Sequence, residues 1–420
     1  MFDNLLFQKS STQLEQAILT NTLPGAILLS GTHSSGKLTC ALELARILSC
    51  TANQKGEWTC TCNSCRQHKA LTATSLILAG PRDCCLEISA AKKTFLQAVA
   101  DGAPYLNATR YLFLRSVRKL TLRFSSILWE GDDKLSKIAS VKSVIDEKLE
   151  EIDFPRELPE LSELTKLCEE IEKKCMELES DFMYDSIPIM QVRNASSWAH
   201  LASSSGKKVI IIENADRMLE GVRNALLKIL EEPPEDTVFI LTTNNRNAVM
   251  PTILSRVRTY NFSDRKIDEQ AEVIERVFHS PAGKTGVANA NDLAPVTIER
   301  FLQEFLPVSP SAISECAKKF MLTIAESKFP DIEEFCKTCG KFSVRAVLKL
   351  FLEDCLLQTK KLLSTPQGCQ TVSEVSFALR NSLDNVLIYN QSPQASLEML
   401  VRELLKINSQ RGGVLSCMNL

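Results

Sequence analysis

The chain has 420 residues, 44% of them hydrophobic, and a formal net charge of −2. That length accommodates two or three domains with a sizeable core, and the near balance of charge excludes a broadly basic surface that binds nucleic acid unaided. Met1-Phe-Asp-Asn has no basic segment followed by an apolar run, and no stretch approaches the ~18 uninterrupted apolar residues of a membrane span, so a cytoplasmic protein is expected. In that setting the 15 cysteines read as reduced thiols, some of them metal ligands, rather than as a disulfide scaffold.

In chain order, residues 1–25 read as a helix and a Pro-Gly turn, followed by a strand at Ala26–Leu29, the loop Gly31-Thr-His-Ser-Ser-Gly-Lys37 and a helix through Leu48. Cysteines cluster over 50–65, and Leu76–Ala79 is a short strand closed by Gly80-Pro81. From about 103 to 185 the texture changes. Leu135, Ile138, Val141, Ile145, Leu149 and Ile152 mark one amphipathic helix. Leu161, Leu164, Cys168, Ile171, Cys175, Leu178 and Phe182 mark a heptad seam on a second, with Pro155 and Pro159 breaking the chain between them. This segment reads as an inserted helical hairpin, its helices packed only on each other or serving as a partner-docking arm. Ile187–Phe262 returns to alternating helix and strand, with strands at Val209–Ile212 and Val238–Leu241. After about 263 helical periods dominate, at Phe301–Phe305, Ala312–Ile324, Val344–Leu357 and Ala395–Ile407, with Ser280–Gly283 and Ser309-Pro310 as turns or helix starts. The order is an α/β nucleotide-type domain followed by a helical half.

The loop carries the chemistry of phosphate binding. In Gly31-x4-Gly36-Lys37, backbone N–H groups at Gly31, Ser34, Ser35 and Gly36 cradle phosphate oxygens while Lys37 meets their charge. The full pattern needs a Ser or Thr hydroxyl after the lysine for Mg²⁺, and Leu38 stands there, with Thr39 one residue late. The strand end after Ile212 needs two acids, one for the metal shell and one to activate water; it has Glu213 and then Asn214, whose amide is no general base. Asp216 lies further along and reads as a helix cap. Thr243, or Asn244, ends the next strand where a polar group senses a terminal phosphate. Arg256 follows Ser255 where an arginine reaches a neighbouring subunit's nucleotide, or else closes a structural ion pair. Cys50, Cys60, Cys62 and Cys65 suit a tetrahedral structural Zn²⁺, although Cys60-x-Cys62 is a tight spacing. Cys84-Cys85 offers a substitute ligand, although adjacent cysteines are poor joint ligands, and Cys336-x2-Cys339 reads as helical core or surface. The four histidines form no triad or metal motif.

Taken together these residues resemble the AAA+ clamp-loader subunits of bacterial DNA polymerase III. The likeness rests on Phe2–Gln8, Leu23–Ala26, the loop, the cysteine knuckle, Ile189–Arg193, and most specifically Asn224-Ala-Leu-Leu-Lys-Ile-Leu-Glu-Glu-Pro-Pro234 with Phe239–Thr243 and Ile253–Arg256. It covers roughly residues 1–82 and 187–262; the segment at 103–185 falls outside the recognised pattern, and Val257 replaces a usual cysteine. The resemblance implies an AAA+ core with a parallel sheet over 1–262, then an all-helical lid (263–325) and collar (326–420). With Leu38 and Asn214 in place it is nearer the delta-prime type than the ATP-hydrolysing gamma/tau type. The implied role is a subunit that lends Arg256 in trans and assists ATP-dependent loading of the sliding clamp onto primed DNA. It would partner gamma/tau-like and delta-like subunits, bind structural Zn²⁺, and hold ATP or ADP at the loop with Glu213 and Thr243. Two alternatives stand beside it: a gamma/tau-like motor using Thr39, and a non-replicative interaction module on a decayed AAA+ fold.

Overall fold

A computed structural model describes residues 1–415 except 54, 185, 203–205, 281–296, 307, 334–343, 388 and 390. Cys336, Cys339 and the turn over 281–283 lie outside the described residues. The chain divides into two compact units, Met1–Leu302 and Gln303–Leu420. Among the described residues no helix is long and apolar enough to cross a membrane.

The first unit is built on five parallel strands in the order β2-β3-β4-β1-β5: β1 Ala26–Ser30, β2 Leu76–Ala79, β3 Lys208–Ile212, β4 Thr237–Thr243 and β5 Arg258–Asn261. The first four are buried along their whole length. A parallel sheet covered on both faces demands this, and it makes such strands readable as unbroken apolar runs. In β5 only Tyr260 is buried, which suits its place at the edge. Strand β1 pairs with β4 from Ala26 opposite Phe239 to Ser30 opposite Thr243. The loop after β1 therefore opens beside the ends of β4 and β5.

Helices α1 (Ser10–Leu19) and α2 (Lys37–Leu48) contribute Leu14, Leu38, Ala41, Leu42, Leu44 and Ile47 to a core that also takes Ile27, Leu29, Val209, Ile211 and Ile240 from the strands. Helix α3 (Asn63–Ala70) follows the cysteine loop. The helical segment comprises α4 (Cys85–Ala100), α5 (Leu106–Thr121), α6 (Leu135–Glu151) and α7 (Leu161–Phe182). The heptad seam is real: Leu164, Cys168, Ile171, Cys175 and Leu178 are fully buried, while Leu161 at its start is 41% exposed. The hairpin does not pack only on itself, however. Helix α7 lies against α4 as well as α6, with Lys92 of α4 paired to Glu172 at 2.5 Å and Glu179 accepting the backbone N–H groups of Cys84 and Cys85 at 2.8 and 3.1 Å. Arg110 of α5 secures the α6–α7 connection by donating to the carbonyls of Ile152, Asp153 and Arg156.

Helices α8 (Ile189–Ala199), α9 (Glu220–Glu231), α10 (Pro251–Leu254), α11 (Ile267–Phe278) and α12 (Ile298–Gln303) complete this part of the chain. The second unit is helical in its described residues: α13 (Pro310–Ala325), α14 (Val344–Gln358), α15 (Pro366–Leu387) and α16 (Pro393–Gln410). Helix α13 starts as its sequence announces, with the Ser309 hydroxyl accepting the Ala312 N–H and Pro310 in the first turn. It packs on α14, where Phe320 meets Phe351 edge to face. The Asn408 amide of α16 donates to the Ile324 and Ala325 carbonyls that end α13.

Candidate functional site

The Gly31–Lys37 loop joins β1 to α2. Gly36 sits at φ +95°, which a side chain disfavours, and a Cβ there would stand 2.9 Å from the Arg265 guanidinium. The loop is closed on itself. Lys37, only 8% exposed, donates to the Gly31 carbonyl at 2.7 Å, to the Thr32 carbonyl and to the Ser35 hydroxyl at 3.2 Å. Burial is the main influence on its ammonium and lowers its pKa to about 8, against the opposing pull of Glu213. Arg265, just before α11, spans the loop by donating to the Ser34 carbonyl and, at 3.2 and 3.0 Å, to the Leu6 carbonyl. Leu38 points into the core cluster, 5% exposed. The position that would hold a metal-ligating hydroxyl therefore serves packing.

At the end of β3, Glu213 is 5% exposed and has both carboxylate oxygens engaged. Arg82, from the turn after β2, reaches Oε1 at 3.1 Å, and Arg123, from the short helix after α5, reaches Oε2. Arg123 also donates to the Gly80 carbonyl at 2.7 Å. Burial favours the protonated acid, but the two guanidinium charges outweigh it and hold the pKa below the ordinary carboxylate range. Arg82 continues to Glu87 of α4, which also pairs with Lys119 of α5, so five segments of the chain meet in one ionic network. Gly80, at φ +98°, permits the approach: a Cβ there would stand 2.4 Å from the Glu213 carbonyl oxygen.

Asn214 donates to the Pro81 carbonyl at 2.6 Å and accepts from the Asn244 amide at 2.8 Å. Asp216 does not serve as the helix cap expected of it; its carboxylate accepts the Thr243 hydroxyl at 2.6 Å and the Asn244 N–H at 3.3 Å. Thr243 is fully buried in that contact. Lys37, Glu213, Asp216, Arg82 and Arg265 are thus one electrostatic group. Arg256 stands outside it. Its Nε and one terminal nitrogen reach Glu231 at 3.4 and 3.3 Å, and the other donates to the Thr252 carbonyl at 2.9 Å and the Ser255 hydroxyl at 3.4 Å.

The four cysteines converge despite the tight Cys60-x-Cys62 spacing. The sulfurs of Cys50, Cys60, Cys62 and Cys65 all lie within 4.8 Å of one another, and Cys50 and Cys60 are 3.8 Å apart. A tetrahedron of Zn–S bonds of ~2.3 Å has edges of about 3.8 Å, so the donor set fits a tetrahedral metal. Cys84 and Cys85 are not part of the group; they start α4. At Cys62 burial opposes ionisation, yet hydrogen bonds from the backbone of Thr51 and Cys65 and from the Thr51 hydroxyl outweigh it and bring the thiol down to about 6. The buried Arg46 guanidinium, paired with Glu43, lies 3.6 Å from the Cys65 sulfur and donates to the Gly56 and Glu57 carbonyls, which fixes the intervening loop.

Sequence reasoning did not find Arg82, Arg123, Arg265 or Glu231. A faint signal exists for Arg82, a basic residue in the turn that closes a strand beside the acid of the next. The others act across long sequence separations.

With this geometry in view, comparison with known proteins is decisive. The family described as DNA polymerase III, delta subunit, matches residues 7–128 and 139–266, more than half of the chain. The chain belongs to this family. The matched ranges run through most of the helical segment that the sequence sets apart, and leave only 129–138 between them. Within DNA polymerase III the delta-prime subunit of Haemophilus influenzae is 38% identical over 78 residues, 18% of this chain and 24% of that protein. The delta-prime subunit of Bacillus subtilis is 45% identical over 58 residues, 14% of this chain and 18% of that one. The tau subunit of B. subtilis is 44% identical over 66 residues, 16% and 11%. The aligned stretch spans about a quarter or less of these relatives. The chain is a clamp-loader-family subunit with an α/β domain on a parallel sheet followed by helices.

Proposed function

We propose that the chain is a delta-prime-type clamp-loader subunit that does not hydrolyse ATP itself and supplies Arg256 to the nucleotide site of a neighbouring subunit. The observation that carries this reading is the state of Glu213. An acid with both oxygens bound by arginines has none free for a metal shell, and Leu38 provides no ligand beside it. Arg256 is held at a partly exposed position by a long surface ion pair with Glu231 and by hydrogen bonds within its own turn, in keeping with a group used in trans. In this reading the partners are gamma/tau-like and delta-like subunits, the sliding clamp and, through the assembly, primed DNA. The place of action is the cytoplasm. The lid occupies about 263–325 and the collar about 326–420, and the four cysteines hold a structural Zn²⁺. When bound, that ion ties Cys50 to the α3 knuckle; it takes no part in catalysis.

The intact Gly31–Lys37 loop and the similarity to tau favour a second reading, an ATP-hydrolysing motor. One experiment separates the two. ATP turnover is measured for the chain alone and in a clamp loader reconstituted with its partners. No turnover alone, and loss of the complex's turnover on Arg256→Ala, supports the proposal. Turnover by the isolated chain that Lys37→Ala abolishes supports the motor and overturns it.

A further inference from the structure

We propose that Glu231 is a positioning residue for Arg256, an inference that rests on the trans role proposed above. Glu231 is the last residue of α9, in the run Leu226–Pro234, and α10 brings Arg256 back against it. The guanidinium has five N–H donors. Two face one oxygen of Glu231, and two more face the Thr252 carbonyl and the Ser255 hydroxyl. Contact along the Nε edge fixes the far end of a side chain with several rotatable bonds, so orientation precedes the arrival of a phosphate. The carboxylate has the right strength for this. Glu231 is 60% exposed and Arg256 28%, and the contacts of 3.3–3.4 Å are long for a charged pair. A surface pair of this kind biases geometry without trapping the cation. The contacts to Thr252 and Ser255 can be exchanged for phosphate oxygens while Glu231 keeps the Nε edge aligned.

The test is a mutant cycle in the reconstituted clamp loader, with clamp and primed DNA present, reading kcat and KM for ATP. Glu231→Ala is expected to lower kcat about two- to fivefold, the scale of an exposed ion pair, with KM and assembly unchanged and Glu231→Gln intermediate. In an Arg256→Ala background, Glu231→Ala is expected to change nothing further, since its effect passes through that arginine. Because Glu231 lies at the surface, folding is not at stake. If Arg256→Ala lowers turnover and Glu231→Ala does not, or if Glu231→Ala lowers it equally in both backgrounds, the role of Glu231 is overturned and the trans reading stands. Turnover unchanged by Arg256→Ala overturns both.

Discussion

Replacing Arg123 with methionine tests whether the acid at the end of β3 is a structural tie. The substitution keeps most of the apolar stem and removes the charge. It leaves Glu213 with Arg82 alone, whose side chain is 34% exposed, and it deprives the Gly80 carbonyl of its donor. Breaking a buried ion pair costs about 3–5 kcal/mol; with a second, partly solvated arginine still in place, about 2–3 kcal/mol is expected. Trp58, Trp129 and Trp198 all belong to the first unit, so tryptophan fluorescence during urea unfolding reports that unit alone. Glu213→Gln in the Arg123→Met background should cost far less than in the parent, with a coupling of about 1–2 kcal/mol. The pH dependence supplies a second check. Folding holds Glu213 below the ordinary carboxylate range and Glu87 down to about 2, in the latter case with Lys119 the strongest influence against burial. Carboxylates depressed in this way stabilise the fold above the unfolded pKa and lose that contribution as pH falls through the folded value. For Glu87 the window is pH 4.5 to 2. A loss below about 0.5 kcal/mol for Arg123→Met, or strict additivity with Glu213→Gln, would refute the tie.

Three further outcomes are expected. Glu179 is buried under α4 and its pKa rises to about 8, burial outweighing its two backbone hydrogen bonds; stability should fall as pH rises from 4.5 to 8, and Glu179→Gln should flatten that slope in denaturation curves taken across the range. The purified chain should carry one tightly bound zinc, read by native mass spectrometry, and Cys62→Ser should lose it at chelator concentrations the parent resists. Ile171→Ala, at a fully buried site on α7, should cost about 2–5 kcal/mol, whereas Leu161→Ala at the exposed start of the same seam should stay within about 0.5 kcal/mol; equal small effects would mean that the hairpin is not integral to the first unit.

How much was legible depended on the range of the interactions. Four strands were readable because burial on both faces makes each an apolar run. Strand β5, with only Tyr260 buried, carries no such run, and pairing with β1 decides its place. The Gly31–Lys37 loop and the four cysteines are local patterns: the loop joins a strand to a helix as its sequence requires, and the four sulfurs converge. Helix α5 was not singled out, although Phe113, Leu114, Val117 and Leu120 are buried along it; its interleaved arginines obscure the stripe. Arg115 and Arg118 of this helix reach Lys69, Ala70 and Asp153, and Arg123 of the short helix after it reaches Glu213, partners that spacing along one helix does not reveal. Asp216 was misassigned for the same reason, since its partners Thr243 and Asn244 arrive from another strand.

The departures at 38 and 213–214 meet one electrostatic requirement. A buried carboxylate without a cation protonates or leaves the interior. In a metal-dependent nucleotide site the ion and its ligating hydroxyl meet that need. Here Leu38 contributes to the core, and Arg82 and Arg123 provide the positive charge as permanent parts of the chain. On the proposed reading, restoring the hydroxyl alone is therefore insufficient. Leu38→Thr should weaken the core and still show no Mg²⁺-dependent turnover in the isolated chain, because both oxygens of Glu213 stay engaged and Asn214 accepts no proton. Turnover that appears with this single change, and disappears with Lys37→Ala, would mean that the arginines release Glu213 when a metal arrives, and that the tie at β3 is a gate.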